Sequence, residues 1–203
     1  MDNLHLTSLH LIVPTKNVRY FYSILQSGFM VETDCGSSIR TFLESLPGID
    51  QSYAEDRIKT IFLDGKVIDD LETAFLENNS ILALSAAMPG LVGATLRRGG
   101  KLASFRSQIT FLPEKKSGPT RKGLIFTKLF NLILKELGPV FLDQGILLKP
   151  VDMADFIKGL PDEFWGGLKQ IQINGRIEEI SHLRRLDWSG FSGMVELKVS
   201  FVS

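Results

Sequence analysis

RIKTIFLDGKVIDDLETAFLENNSILALSAAMPGLVGATLRRGG, residues 57–100, is the stretch on which the fold turns. Its apolar start, Ile58 to Leu63, runs into Asp64-Gly65. That dipeptide favours a tight hairpin turn, because Gly accepts positive φ without a steric cost. Lys66 to Ile68 follows as a short return strand. An acidic connection then leads to a further apolar strand, Ser80 to Leu84, and the stretch closes on Pro89, glycines and Arg97-Arg98.

Upstream, Leu9, Leu11 and Val13 alternate with His10 and Ile12, which predicts a strand ended by Pro14. Tyr20 to Leu25 is apolar and reads equally as strand or short helix. Gly28 opens a second strand, Phe29 to Thr33. Ser37 or Ser38 suits a helix N-cap. Ile39, Phe42, Leu43 and Leu46 then recur at helical spacing, and Pro47-Gly48 ends the helix. A polar loop is expected as far as Asp56.

The order strand, strand, helix, strand, short strand, strand predicts an α+β fold with a β-grasp N-terminal domain. Here the chain resembles the ThiS/MoaD branch of the ubiquitin-like β-grasp family. The residues concerned are Ser38 to Leu46, Ile58 to Ile68 with Asp64-Gly65-Lys66-Val67, and Asn78-Asn79-Ser80-Ile81-Leu82-Ala83-Leu84. The resemblance covers roughly residues 8–100. The element order, a sparse inventory of catalytic residues and the opposed charge patches point to a non-enzymatic protein of this kind that works through a protein partner.

Further on, Leu102 to Leu112 reads as a strand and Pro113 to Gly123 as a polar linker. Leu124 to Leu137 reads as a largely buried helix stopped by Gly138-Pro139. Ile146-Leu147-Leu148 suggests a strand, and Asp152 caps a short helix with Gly159 as its C′ residue. Asn174-Gly175 is a strong hairpin signal, and Val195, Leu197, Val199 and Phe201 alternate as a half-buried strand. The expected organisation is a β-grasp domain over 1–112, a linker over 113–123 and an α+β region over 124–203. Ile61 to Val67 echoes Ile171 to Ile177. Two ordinary hairpins account for the echo; a degenerate second β-grasp-like unit would explain it too.

Composition narrows the class. Of 203 residues 44% are hydrophobic and 23% charged, enough apolar material for a sizeable core. Acids and bases balance at 23 each, which argues against a dedicated nucleic-acid binder. The single cysteine, Cys35, forms no intrachain disulfide and suits a reducing, cytoplasmic setting. The first residues lack a signal-peptide pattern, and no run reaches the ~18 apolar residues of a membrane span. Charge is uneven: residues 41–80 hold nine acids against three bases, and residues 97–122 hold eight bases against one acid.

Three sites invite chemistry. Arg97-Arg98-Gly99-Gly100 resembles the terminal diglycine of ubiquitin-like carriers, but 103 residues follow Gly100, so carrier chemistry needs cleavage after it. Read as a ligand loop, Gly90, Gly93, Arg97, Arg98, Gly99, Gly100 and Arg106 combine open backbone with fixed positive charge, a setting for a phosphate or carboxylate. Neither a Walker A lysine nor a dinucleotide fingerprint accompanies them. His5, His10 and His182 lack metal-ligand spacing, and Cys35 beside a helix start reads as a small buried residue or a thiol of lowered pKa. Trp165 and Trp188 read as exposed partner contacts or as lids on a second core. The expectation is a protein-interaction module with no catalytic residue, metal or cofactor. The alternatives are an anionic-ligand binder or enzyme using Gly90 to Arg106, and a carrier cleaved at Gly100.

Overall fold

The computed structural model describes residues 6–112 and 119–203, the Ser189 side chain excepted. Two compact units divide the chain: Met30–Leu137, and Met1–Phe29 with Gly138–Ser203. Strand β1 is Leu6–Pro14, followed by a 3-10 helix, Thr15–Phe21, and α1, Tyr22–Ser27. The ambiguous Tyr20 to Leu25 segment is thus helical. Strand β2, Phe29–Cys35, precedes α2, Ile39–Glu44. The Ser38 hydroxyl accepts the Thr41 N–H at 3.2 Å, and Ile39, Phe42 and Leu43 are buried, as their spacing predicts.

The expected polar loop to Asp56 contains α3, Gln51–Asp56. Its signal is the cap: Asp50 Oδ1 accepts the Tyr53 N–H at 2.8 Å. Strands β3, Thr60–Leu63, and β4, Lys66–Val67, enclose a turn in which Asp64 and Gly65 have φ of 50° and 79°. Strand β5 is Ile81–Ser85 and α4 is Gly90–Leu96.

Two expectations fail here. Leu102 to Leu112 is not a strand; Ala103–Ile109 is a 3-10 helix. Leu124 to Leu137 is not one helix, because β6 occupies Arg121–Phe130. Ile125, Thr127 and Leu129 are buried while their neighbours are partly exposed, a period of two that an apolar run conceals. Asn131 then takes φ of 54° and opens α5, Asn131–Gln144. Gly138-Pro139 does not stop α5, which carries Pro139 inside it. Of the linker expected over 113–123, residues 113–118 lie outside the described residues, and Arg121 to Gly123 belong to β6.

The remaining elements are β7, Ile146–Leu148; α6, Pro150–Lys158; α7, Asp162–Gly167; β8, Gln170–Ile173; β9, Arg176–Glu178; α8, Ile180–Arg185; and β10, Met194–Val202. Helix α6 starts three residues earlier than an Asp152 cap implies, with Lys149 as its N-cap and Pro150 in its first turn. Gly159 is its C-cap in right-handed conformation, φ −78°, and not a left-handed C′ residue.

In Met30–Leu137 the strand order is β4-β3-β5-β6-β2. β4 and β5 run antiparallel to β3, and β5 runs parallel to β6, Leu82 opposite Thr127 and Leu84 opposite Leu129. Ile61, Leu63, Leu82, Leu84, Ile125 and Leu129 supply the apolar interior. In the other unit the order is β7-β10-β1-β8-β9. β9 and β1 run antiparallel to β8, and β1 runs parallel to β10 with Leu9 opposite Leu197 and Leu11 opposite Val199. All four of those side chains are fully buried. The strands of each unit therefore repeat one plan: an edge hairpin, an antiparallel neighbour, then a parallel pair.

The predicted chain order of strands and helix is present, with helices added to it; what differs is the pairing of two strands. β1 does not pair with β3 or β5; it lies between β10 and β8. The place beside β5 is taken by β6, from beyond the expected linker. Composition marks a loop at 113–123, but hydrogen bonding returns the chain to the same sheet after it. No described helix is long and apolar enough to cross a membrane.

Candidate functional site

The Met30–Leu137 unit holds a cleft of about 820 Å³ lined by Gly90, Gly93, Arg97, Arg98, Gly99 and Gly100, with Glu55, Lys59, Asp69 and Lys101. Six of the seven expected ligand-loop residues therefore meet at one cavity. Arg106 does not line it. Its side chain is buried, donating from Nε to the Thr95 carbonyl at 2.7 Å and from Nη2 to Asp69 Oδ1 at 2.6 Å.

The glycines serve geometry more than an anion. A Cβ on Gly93 would stand 2.0 Å from the Met88 carbonyl oxygen, so α4 seats on residue 88 only because Gly93 has no side chain. Gly99 has φ of +60°, and its N–H donates to Asp69 Oδ1 at 2.9 Å. The Gly100 N–H donates to the Arg97 carbonyl at 3.0 Å. The N–H groups of Gly99 and Gly100 are thus already engaged within the protein.

The two arginines differ. Arg98 is largely buried; its Nη2 donates to Glu55 Oε2 at 2.9 Å and to the Ala54 carbonyl at 3.1 Å. Arg40 reaches the same carboxylate at 2.7 Å. The Arg40 hydrogen bond, assisted by Arg98 against partial burial, holds Glu55 below the usual carboxylate range. Burial pushes Asp69 upward, but the bonds from Arg106 and the Gly99 N–H outweigh it and leave Asp69 lowered as well. Arg97 and Lys101 stand exposed at the mouth. Part of the basic run thus neutralises the acidic run internally, and Arg97 and Lys101 remain as outward charge. Sequence reading missed Glu55, Lys59, Asp69 and Lys101 as site residues. The opposition of acidic 41–80 to basic 97–122 is the signal that points to them.

Around the cleft, α4 and the 3-10 helix Ala103–Ile109 contact one another. They and the chain just beyond carry apolar side chains in water: Leu91 is 73% exposed, Val92 70%, Phe105 78% and Leu112 73%.

The remaining candidates resolve simply. Cys35 is 2% exposed; burial, with Glu77 nearby, pushes its thiol upward, away from a reactive thiolate. Its sulfur sits 2.6 Å from where a Gly123 Cβ would be, so it is a packing residue. His10 Nε2 bonds Ser200 Oγ at 2.9 Å, and His182 Nδ1 bonds Glu178 at 2.7 Å. His5 lies outside the described residues. Trp165 and Trp188 are 5% and 2% exposed, so they belong to a core. Among the described residues no group of three or more His, Cys, Asp or Glu is placed to hold a metal ion. Comparison of the chain with protein-family models, curated proteins and solved structures finds no match.

Proposed function

We propose that this chain is a non-enzymatic protein-interaction module, built on permuted β-grasp-like sheets of the ThiS/MoaD kind, that grips a protein partner through Gly90 to Leu112. The single observation carrying the reading is the set of solvated apolar side chains Leu91, Val92, Phe105 and Leu112 on that excursion. Large apolar groups gathered in water and flanked by charge are a mark of partner surfaces. Arg97 and Lys101 beside them favour a partner with acidic groups at its rim. The strand plan supports the fold comparison: a hairpin edge and a central parallel pair are what a β-grasp sheet needs, with β6 in the place the sequence gives to an N-terminal strand.

The test is capture from native extract by a photoreactive residue at Phe105, compared with the Leu91→Asp/Val92→Asp double variant. A protein cross-linked by the first and lost in the second is expected. Identical captures from both would remove the reading.

A second reading keeps the cleft itself. Lys59, Arg97 and Lys101 line it and would favour a small anion. A thermal-shift series with nucleotides and phosphorylated metabolites tests this, since binding stabilises by RT ln(1 + [L]/Kd). A flat series at millimolar ligand rejects it. The processed-carrier reading requires a native product ending at Gly100, which intact mass reveals or rejects.

A further inference from the structure

The edge hairpins of the two units share one register. Asp64-Gly65 joins β3 to β4 with Leu63 opposite Lys66 and Phe62 opposite Val67. Asn174-Gly175 joins β8 to β9 with Ile173 opposite Arg176 and Gln172 opposite Ile177. In a two-residue hairpin the residues flanking the turn exchange hydrogen bonds, so the next residue of the return strand turns its N–H and C=O outward. Those outward residues are Val67 and Ile177.

At Val67 the outer edge is filled. Thr110 bridges to it in parallel, the Phe111 N–H donates to the Val67 carbonyl at 2.9 Å, and Val67 is fully buried. At Ile177 the edge is open. β9 ends the strand order of its unit, Ile177 is 73% exposed, and no backbone group bonds its outer side among the described residues. An open edge is a template for a further strand unless proline, a bulge or repelling charge blunts it. Arg176-Ile177-Glu178 has no proline and no bulge, and its charges are of opposite sign on either side of Ile177.

That charge pattern is self-complementary. An antiparallel copy centred on Ile177 places Arg176 opposite Glu178 of the partner subunit, and the same pair recurs across the two-fold axis. Arg176 is exposed, with no ion pair among the described residues. Glu178 Oε2 lies 2.7 Å from His182 Nδ1, which fixes the carboxylate beside the edge. The two Ile177 residues, facing each other, exchange their free N–H and C=O groups and cover each other's side chains.

We infer that β9 is a self-association edge, which pairs antiparallel with β9 of a second copy of this chain in the register Ile177 to Ile177. The inference rests on β8 and β9 alone and is independent of the proposed partner surface.

Sedimentation equilibrium of the full chain tests it. The contact is small, so association is expected to be weak, with Kd on the order of 100 μM. Arg176→Glu and Glu178→Arg each set like charges opposite one another, and each alone is expected to weaken association at least about tenfold. Mixed together, the two variants oppose acid to base at both positions, and a heterodimer of near wild-type affinity is expected. The Ile177 amide should also exchange more slowly as protein concentration rises. A chain that stays monomeric up to about 1 mM would overturn the inference. So would a dimer unmoved by either charge change, or one that mixing fails to restore. A different protein bound along β9 by the monomer would overturn it as well.

Discussion

Arg106 Nη2 lies 2.6 Å from Asp69 Oδ1, and the arginine side chain is 2% exposed. The carboxylate that receives it also accepts the Gly99 N–H. One acid therefore ties the turn after α4 to the 3-10 helix that follows. The arginine taken from sequence as a ligand contact is an internal brace.

Removing one side of this brace leaves charge without its partner. Arg106→Gln is expected to cost about 3 kcal/mol, the low end for a buried pair, because Asp69 keeps some contact with water. Asp69→Asn should cost less. Urea denaturation of both single variants and the double variant gives the coupling. A cost under about 0.5 kcal/mol for Arg106→Gln would show the brace to be idle.

Stability should fall at both ends of the pH range. Glu55, Asp69 and Glu136 all sit below their ordinary values; for Glu136 the Arg57 bond is the main cause, against some burial and with help from Tyr53. Lowered carboxylates stabilise the fold above their unfolded values and lose that contribution as pH falls through the folded ones, below about pH 4. Tyr53 behaves oppositely: burial, then its 2.7 Å bond to Glu136, pushes the phenol upward. Its contribution is complete below about pH 10 and is lost above it. Chemical denaturation across pH should show both limbs; Tyr53→Phe should flatten the alkaline one and, by removing a hydrogen bond to Glu136, reduce the acid one slightly.

Glycine substitutions separate packing from strain. Gly93→Ala places a methyl against the Met88 carbonyl, a backbone contact that cannot rotate away, and α4 should detach. Faster hydrogen exchange over 88–100 would report it. At Gly99 nothing lies within 4 Å of the added Cβ, so Gly99→Ala meets only the positive φ and should cost about 1 kcal/mol. Equal exchange in the two variants would contradict this assignment.

Two buried hydroxyls invite replacement. Thr60 and Thr127 are fully buried, and neither hydroxyl has a partner among the described residues. Valine keeps the shape and removes the unsatisfied group, so each Thr→Val change should be neutral or stabilising by up to about 1 kcal/mol. For a chain of this size that is a rise in Tm of about 2–4 °C. A loss of stability in both variants would mean the hydroxyls are bonded after all.

Some of this was legible in the residues. Ser38 capping an apolar helical face, the Asp64-Gly65 and Asn174-Gly175 turns, and the strict alternation of Val195 to Phe201 each act over a few residues, and each is found where expected. The ligand-loop residues converge on one cleft, apart from Arg106. Less legible was β6, where Leu124, Ile125, Phe126, Leu129 and Phe130 fit a helix as well as a strand until a neighbouring strand selects between them.

The sequence alone determined the hairpins, the caps and most apolar faces, because turn chemistry and side-chain period are local properties. Tertiary structure alone decided that β1 lies beside β10, that β6 lies beside β5, and that Arg106 and Arg98 turn inward to carboxylates. The reason is physical. A strand offers the same hydrogen-bonding edge to any partner, and a charge the same field. Which partner they take depends on what long-range packing brings within reach.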